Sequence, residues 1–500
     1  GDAMFQRIIT ALKRGLVKLG LLKEIEKITD LKDVSINDEM FQKIEIWKAL
    51  YRGYHEPFHK VTYKTIDGTK ERTMLTLNMP KAAAQEMASL VYNEKCEISI
   101  SDDLIAEFIT EVLKRNKFDK KFQDYIEYMF AHGGMVIKPY VENDRIMLSF
   151  VTADCFIPIS WRNDTIYEAV FPYEFKRRDK KYTHLEWHLW ENGQYVIRNE
   201  VYESQNGADL GIKVPLAQFF PDLEEEVKID GLNQPLFAYF KPNIANNIDL
   251  QSPLGISIFA NALDTLKAID TAFDSFHREF RLGRKRIIVP AYAVKTVIDP
   301  DSGKALRYFD STDETYEAFA FGDMDKSEFK DVSVELRVEE HIAAINALLN
   351  LFAMQTGFSS GTFTFDGQSM KTATEVVSEQ SKTFKSKQSH EVIIESGIQE
   401  LIHSVIAIGE LYGLINAPND FEISVAFDDS IAEDKGAEIN QQTQLVNAGL
   451  QSRKRAIMKV YGCTEEEALK ILQEIIQEEK MQSPDIDELR AQSALFGPQE

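Results

Sequence analysis

Apolar side chains recur at helical spacing through much of this chain, and the longest such stretch is a helix, a short polar loop and a much longer helix. Val338, Ile342, Ile345, Leu348, Leu349 and Phe352 give residues 337–356 a single apolar stripe. Gly357, Gly361 and Gly367 then break the period, and the Ser and Thr hydroxyls between them offer the backbone competing partners. Thr372 with Glu375 forms a capping box that opens a helical pattern reaching Leu414. At 1.5 Å per residue that helix spans roughly 65 Å.

Ahead of this hairpin, residues 23–130 read as mostly helical, with amphipathic stretches at 37–54, 81–93, 102–116 and 120–130. A β-hairpin interrupts them, with strands at 61–66 and 71–77 and a turn at Asp67-Gly68. Gly133-Gly134 ends the helical run and the period changes to two. Residues 135–141, 145–151, 155–160, 165–175, 182–191, 194–202 and 237–241 read as strands of a largely antiparallel region, turning at Glu142-Asn143-Asp144 and Asn192-Gly193. Its aromatics (Phe150, Phe156, Trp161, Tyr167, Phe171, Trp187, Trp190) fit core positions and cross-strand pairs.

Ser252-Pro253-Leu254-Gly255-Ile256-Ser257 punctuates the chain before another amphipathic helix, with Phe259, Ala262, Leu263, Leu266, Ile269, Phe273 and Phe276 in register. Residues 287–335 are short and turn-rich, an insertion between two long helices. Gly413 and Pro418 stop the long helix. Residues 421–427 alternate as one strand, expected to return to the β-rich region. Helices follow at about 433–447, 452–461 and from Thr464 to Met481, and the polar, proline-punctuated residues 482–500 read as a frayed tail.

Composition narrows the function classes. A 44% hydrophobic content over 500 residues supports real cores and about three domains. The 57 basic and 80 acidic side chains give a net charge of −23, which counts against tight, static DNA binding. Cys96, Cys155 and Cys463 are far apart and odd in number, as for free thiols in a reducing compartment. No apolar run of about 18 residues occurs, so no transmembrane helix is expected. Near the N-terminus, Phe5, Ile8, Ile9, Leu12, Leu16, Leu19 and Leu22 form an apolar face beside Arg7, Lys13, Arg14 and Lys18. Charges interrupt it too often for a secretory signal, leaving a helix docked on this protein or a neighbour, or one lying on a membrane surface. Gly1-Asp2-Ala3 before Met4 reads as a cloning scar.

Catalytic constellations are thin. His390-Glu391 begins like a zinc-peptidase helix, but Ile394 stands where the second histidine belongs. Gly303-Lys304 lacks the other parts of a phosphate loop, and Ser327-Glu328-Phe329-Lys330 has no companion motif. No catalytic residue, metal ligand or cofactor is assigned, and the chain reads as a non-enzyme. Two features point to contact instead. His277, Arg278, Arg281, Arg284, Lys285 and Arg286 end a helix, where they suit phosphates, the helix dipole or a neighbour's acidic surface. The loop at 357–371 carries Phe358, Phe363 and Phe365 without enough local apolar sequence to bury them. Exposed aromatics imply a partner surface, a neighbour's loop or a ligand, and the alternative is a connector of no consequence.

Five segments in a fixed order extend this picture: Gly134-Met135-Val136-Ile137-Lys138-Pro139-Tyr140, Ala153-Asp154-Cys155-Phe156-Ile157-Pro158-Ile159, Ser252 to Ser257, Thr372-Ala373-Thr374-Glu375-Val376, and Gly449-Leu450-Gln451-Ser452 running through Tyr461-Gly462 to Thr464-Glu465-Glu466-Glu467-Ala468. With them, nearly the whole chain resembles the portal proteins of tailed bacteriophages, especially siphophages of Gram-positive hosts. The resemblance implies an α+β portal fold with long stem helices, a β-rich wing, a small α/β clip and a helical crown. Its plan puts the wing at 1–250, stem helix 1 at 251–282, the clip at 283–336 and stem helix 2 at 337–356. The tunnel loop falls at 357–371, the long helix and return strand of the wing at 372–430, the crown at 431–481 and a flexible tail at 482–500.

The resemblance also implies a homo-oligomeric ring, usually of twelve subunits, at the portal vertex of the virion, assembled in the bacterial host cytoplasm. Its partners are double-stranded DNA passing non-specifically, the large terminase, head-completion or adaptor proteins, and major capsid and scaffold proteins, with no membrane. DNA is packaged and ejected through such a ring. Phe358, Ser359, Ser360, Thr362, Phe363, Thr364, Phe365, Gln368 and Lys371 become the DNA-facing tunnel loop, and Arg278, Arg281, Arg284, Lys285 and Arg286 the basic stem–clip junction. The competing readings are another ring-forming virion adaptor or scaffold, or an intracellular enzyme with a pocket that the sequence does not reveal.

Overall fold

The computed structural model describes residues 38–65, 68–93, 96–204, 212–283, 335–365, 373–418, 421–427, 435–461, 468–473 and 475, with four short strands between 287 and 331. The chain opens with α1 (Asp38–Tyr51), the short α2 (Glu56–His59), the hairpin β1 (Lys60–Thr65) and β2 (Gly68–Thr73), α3 (Met79–Val91), β3 (Glu97–Ile100), α4 (Asp103–Arg115) and α5 (Phe118–His132). Phe41, Ile44 and Trp47 of α1, Ala83, Ala84 and Met87 of α3, and Phe122, Ile126 and Met129 of α5 are all buried. The alanines let α3 lie close to α5, and Asp102 caps α4 by accepting from Ile105 N at 3.0 Å.

Beyond Gly133 the chain becomes sheet. Asn143 and Asp144 both take positive φ between β4 (Met135–Glu142) and β5 (Arg145–Thr152), the twist that a two-residue hairpin turn requires. A helical turn at Ala153–Cys155 occupies the start of the strand expected at 155–160, so β6 runs instead over Ile157–Arg162. The antiparallel meander continues with β7 (Thr165–Arg177), β8 (Lys180–Glu191) and β9 (Gln194–Glu203), and both β10 (Ile212–Val214) and β11 (Glu226–Ile229) pair with β9. Next, β12 (Ala238–Phe240) returns to β4. Phe156, Phe171, Phe237 and Tyr239 fill the space between the sheets with ring centroids 5.2–5.8 Å apart, whereas Tyr167, expected inside, is exposed.

Stem helix 1 was expected from residue 251, but α6 covers Leu263–Leu282. The residues before it are occupied in a backbone crossing. Gly255 meets Gly133, at the end of α5, so closely that a Cβ on Gly255 would stand 2.3 Å from Gly133 O. Ile258 N donates to Phe130 O at 3.0 Å, Gly255 N to Tyr239 Oη at 2.9 Å, and Ile256, Ile258 and Phe259 are buried. Between α6 and the next helix lie β13 (Ile287–Ile288), β14 (Lys295–Ile298), β15 (Ala305–Tyr308) and β16 (Lys330–Asp331), paired as β13 with β16 and β14 with β15.

Then come α7 (Val338–Gln355) and α8 (Ala373–Leu411), the latter 39 residues and about 58 Å long. Gly397 of α8 lies on the Phe240 ring, where a Cβ would come within 2.5 Å. Against expectation, the Lys382–Leu411 part of α8 is long and apolar enough by composition to cross a membrane; 56% of that window is buried inside the protein, the pattern of a core helix. The strand expected to return to the meander does not do so. β17 (Ile423–Ala426) pairs antiparallel with β3 among the N-terminal helices. Gln399 Nε2 of α8 donates to Ile423 O at 3.0 Å and Glu395 Oε1 accepts from Val425 N at 3.2 Å, so helix side chains satisfy backbone groups that a sheet partner would otherwise take. Finally, α9 (Lys435–Asn447) and α10 (Arg453–Tyr461) pack on each other.

Two predictions follow from this core. Gly255→Ala drives a methyl into backbone and costs about 3 kcal/mol or more, read as a lower urea midpoint. Burial lowers the pKa of His132 and His390 to about 4. The unfolded chain takes up their protons below about pH 6.5, while the fold refuses them until about pH 4, so stability is lost as pH falls through that window. The loss is on the order of 3 kcal/mol for each histidine by pH 4. Neither ring nitrogen of His132 has a hydrogen-bond partner, and the ring packs on Tyr51 and Tyr128, so His132→Phe is expected to flatten the fall in melting temperature between pH 7 and 5.

Candidate functional site

Two aspartates one turn apart on α6 fix that helix to the N-terminal region. Asp274 accepts both arms of the Arg72 guanidinium, at 2.8 and 2.6 Å, and Leu75 N at 3.2 Å. Asp270 accepts Leu77 N at 2.9 Å and stands 3.1 Å from His59 Nε2. Burial raises the Asp274 pKa, yet hydrogen bonds from Arg72 and Leu75 outweigh it and hold the carboxyl below its ordinary range. In the last turn of α6, Glu279 receives Arg337 Nε and Nη2 at 3.2 and 3.1 Å, with His341 Nε2 at 3.6 Å. Thus α6 and α7 are tied together close to where the small paired strands depart.

The C-terminus of α7 ends in a glycine-centred cap. Gly357 has φ +87°, and Phe358 N reaches back to Ala353 O at 2.8 Å. This cap turns Phe358 inward: it is fully buried, with its ring 5.0 Å from Phe363, which in turn lies 5.9 Å from Phe352. The expectation that the three loop aromatics are left exposed is therefore corrected. Phe358 is core, Phe363 is half-buried, and Phe365, 37% exposed, rests 6.0 Å from Phe276 and 6.5 Å from Phe273 of α6.

Residues 357–365 do not project from the helix end but double back along α7. Asn350 Oδ1 accepts Gly361 N and Asn346 Oδ1 accepts Phe365 N, both at 2.8 Å, so the chain retraces a full helical turn. From the other side, α8 seals the bend. Ser359 is buried, with its N donating to Thr383 Oγ1 at 2.8 Å, and Ser386 Oγ donates to Gly357 O at 2.7 Å. Lys382 Nζ donates to Met354 O, placing a cation at the negative end of α7. What remains open on this ridge is Ser360, Thr362, Thr364 and the edge of Phe365. Gln368 and Lys371, together with the Thr372 capping box, lie outside the described residues.

Asn346, Asn350, Lys382, Thr383 and Ser386 escape the sequence reading. A visible signal exists for the first two: paired amides one turn apart in a stretch, residues 342–355, that carries no charge. Thr-Gly-Phe after a helix is likewise the signature of a glycine cap followed by a buried apolar residue. Of the basic cluster, Arg278 and Arg281 are exposed on the last turns of α6, and Arg284, Lys285 and Arg286 fall outside the described residues. Among the described residues no group of three or more His, Cys, Asp or Glu is placed to hold a metal ion.

Phe358→Ala is expected to cost about 3–5 kcal/mol, read as a lower unfolding midpoint. Asn346→Ala with Asn350→Ala leaves two amides unsatisfied, and hydrogen exchange at Gly361 and Phe365 should rise about tenfold or more while the α6–α7 core stays protected.

A family model described as phage portal protein, SPP1 Gp6-like, matches residues 31–481 of the chain. No curated protein matches it.

Proposed function

The chain belongs to the SPP1 Gp6-like phage portal proteins, and we propose that its copies close into a ring at one vertex of a tailed-phage capsid, a conduit for double-stranded DNA. The observation that carries this reading is a family match spanning nearly all the described residues, including the helix pair and its folded-back tip. A head-to-tail interface that closes is the symmetry such a ring needs, with about twelve copies the expected number. DNA carries one charge per about 1.7 Å, so a basic lining would hold it fast and with strong salt dependence. A ring of chains each at −23 instead repels the duplex toward its axis and lets it slide.

Contact with DNA is then local, weak and blind to sequence. The ridge formed by Ser360, Thr362, Thr364 and Phe365 is the proposed tunnel loop, continued by Gln368 and Lys371. The Ser360 and Thr364 hydroxyls are neutral donors to phosphate, Thr362 Oγ1 donates to Ser359 O at 2.8 Å, and the backbone is held by Asn346, Asn350 and Thr383. Phe358, Ser359 and Phe363 support that ridge from beneath rather than facing the duplex. Arg278, Arg281, Arg284, Lys285 and Arg286 mark the proposed junction of stem and clip, the end offered to the terminase motor and later to head-completion proteins. The wing and crown of the family plan remain the proposed contacts with capsid, scaffold and packaged DNA.

Native mass spectrometry of the assembled protein tests the ring: an annular assembly near twelve copies is expected, and a chain that stays monomeric or dimeric beside its capsid partners contradicts it. Replacing Ser360, Thr364 and Lys371 by Glu turns weak contact into repulsion without touching the buried supports. Rings of normal mass with less DNA packaged or retained are the expected result. Normal packaging by this variant would remove the tunnel-loop assignment while leaving the ring intact.

A further inference from the structure

The basic amphipathic segment near the N-terminus lies outside the portal-family match, which begins at residue 31. Its apolar stripe, Phe5 to Leu22, carries Arg7, Lys13, Arg14 and Lys18 and no acidic residue. A stripe of that kind needs a surface with an apolar centre and an acidic border. The described fold holds such a surface where α4 meets the end of α8. Phe108 of α4 lies on Gly409 of α8, so close that a Cβ on the glycine would stand 3.0 Å from the ring. Around this crossing Leu104 is 71% exposed, Tyr412 58% and Leu411 50%. Asp103, Glu107 and Glu410, all exposed, border them.

Beside the start of α4, the β3–β17 pair and α8 enclose an open cleft of about 520 Å³, in whose lining Ile100, Phe421 and Ile423 stand among polar residues such as Ser99, Gln399 and Glu422. Cleft and patch are neighbours, because Ser101 N, one residue before the α4 cap, donates to Glu422 O at 3.0 Å. Together they form a strip whose apolar centre is Leu104, Leu411 and Tyr412, continued by a cleft of mixed polar and apolar lining, with carboxylates at its margin. Residues 23–37 give a tether that can extend to about 50 Å from Asp38.

We propose that residues 5–22 form a helix seated on this strip, with the leucine stripe over Leu104, Leu411 and Tyr412 and the basic side chains against Asp103, Glu107 and Glu410. The segment then covers apolar surface that α4 and α8 leave open, and it secures the outer end of the long helix. Charge pairing at the border makes the docking weaken with salt, while the apolar centre holds it in register.

The test places the photo-crosslinker p-benzoylphenylalanine at Leu104, and separately at Tyr412, in the full-length chain. A control position is Tyr173, 59% exposed on the meander. After irradiation, adducts mapped by mass spectrometry should fall within residues 5–22, at a yield several-fold above the control. An adduct within one chain or between two copies supports the docking equally, since the occupant is the same segment. Leu12→Asp with Leu16→Asp should cut that yield about tenfold without altering the melting temperature of the core. Adducts elsewhere, a yield equal to the control, or a yield indifferent to the double substitution would overturn the proposal. So would flotation of the full chain with phosphatidylglycerol vesicles accompanied by loss of the adduct, the result expected of a membrane-lying helix. None of these outcomes depends on ring formation or packaging.

Discussion

Between Gly133 and Gly255 two backbones pass closer than any side chain permits, and the rest of the architecture is arranged around that crossing. It joins the end of α5 to the approach of α6, two points distant in sequence. Phe130 O accepts from both Ile258 N and Ser257 Oγ, so the helical layer and the segment leading into the long helices are one hydrogen-bonded unit. Tyr239, from the strand paired with β4, accepts Gly255 N, which brings the sheet to the same place. A methyl at Gly255 would meet backbone, which cannot move aside as a flexible side chain can.

From that junction α6 leaves with its direction already set. Asp270 and Asp274 lock it against Arg72, His59 and the backbone at Leu75 and Leu77, a pairing in which each carboxylate satisfies both a side chain and an amide. Such half-buried pairs stabilise only when geometry and hydrogen bonds compensate for desolvation, and the two-armed Arg72 contact does so. Glu279, in the last turn, repeats the device between α6 and α7. The middle and last turns of α6 are therefore both held, and the fold-back at Gly357 packs on that helix through Phe365. For a part proposed to meet moving DNA, rigidity matters more than affinity: contact that is weak and fixed guides, whereas contact that is strong retards.

The candidate site was legible in outline. A break in period, clustered hydroxyls and a capping signal mark a loop between long helices. Its internal arrangement was not legible in the same way. The apolar content within 357–371 is too small to bury three phenylalanines, and taken locally that reasoning is sound. The burial comes instead from Phe352, Phe273 and Phe276 on two other helices, and from asparagine side chains that draw the backbone inward. Thr383 and Ser386 belong to a helix face that periodicity marks as ordinary polar surface, yet they hold the bend.

By itself the sequence determined which residues are helix and which are strand over most of the chain, because period is a local property set by backbone geometry. It also determined the acidic character that disfavours gripping a nucleic acid, and the order of segments by which the family is known. Only the tertiary structure decided what depends on pairs distant in sequence. The strand at Ile423–Ala426 joins β3 rather than the meander, since alternation reports that a strand has two faces and not which edge it completes. Residues 252–259 cross a glycine instead of extending a helix, because an apolar run is compatible with any buried backbone. Phe358 lies in the core for the same reason: whether an aromatic is exposed is settled by what arrives on top of it.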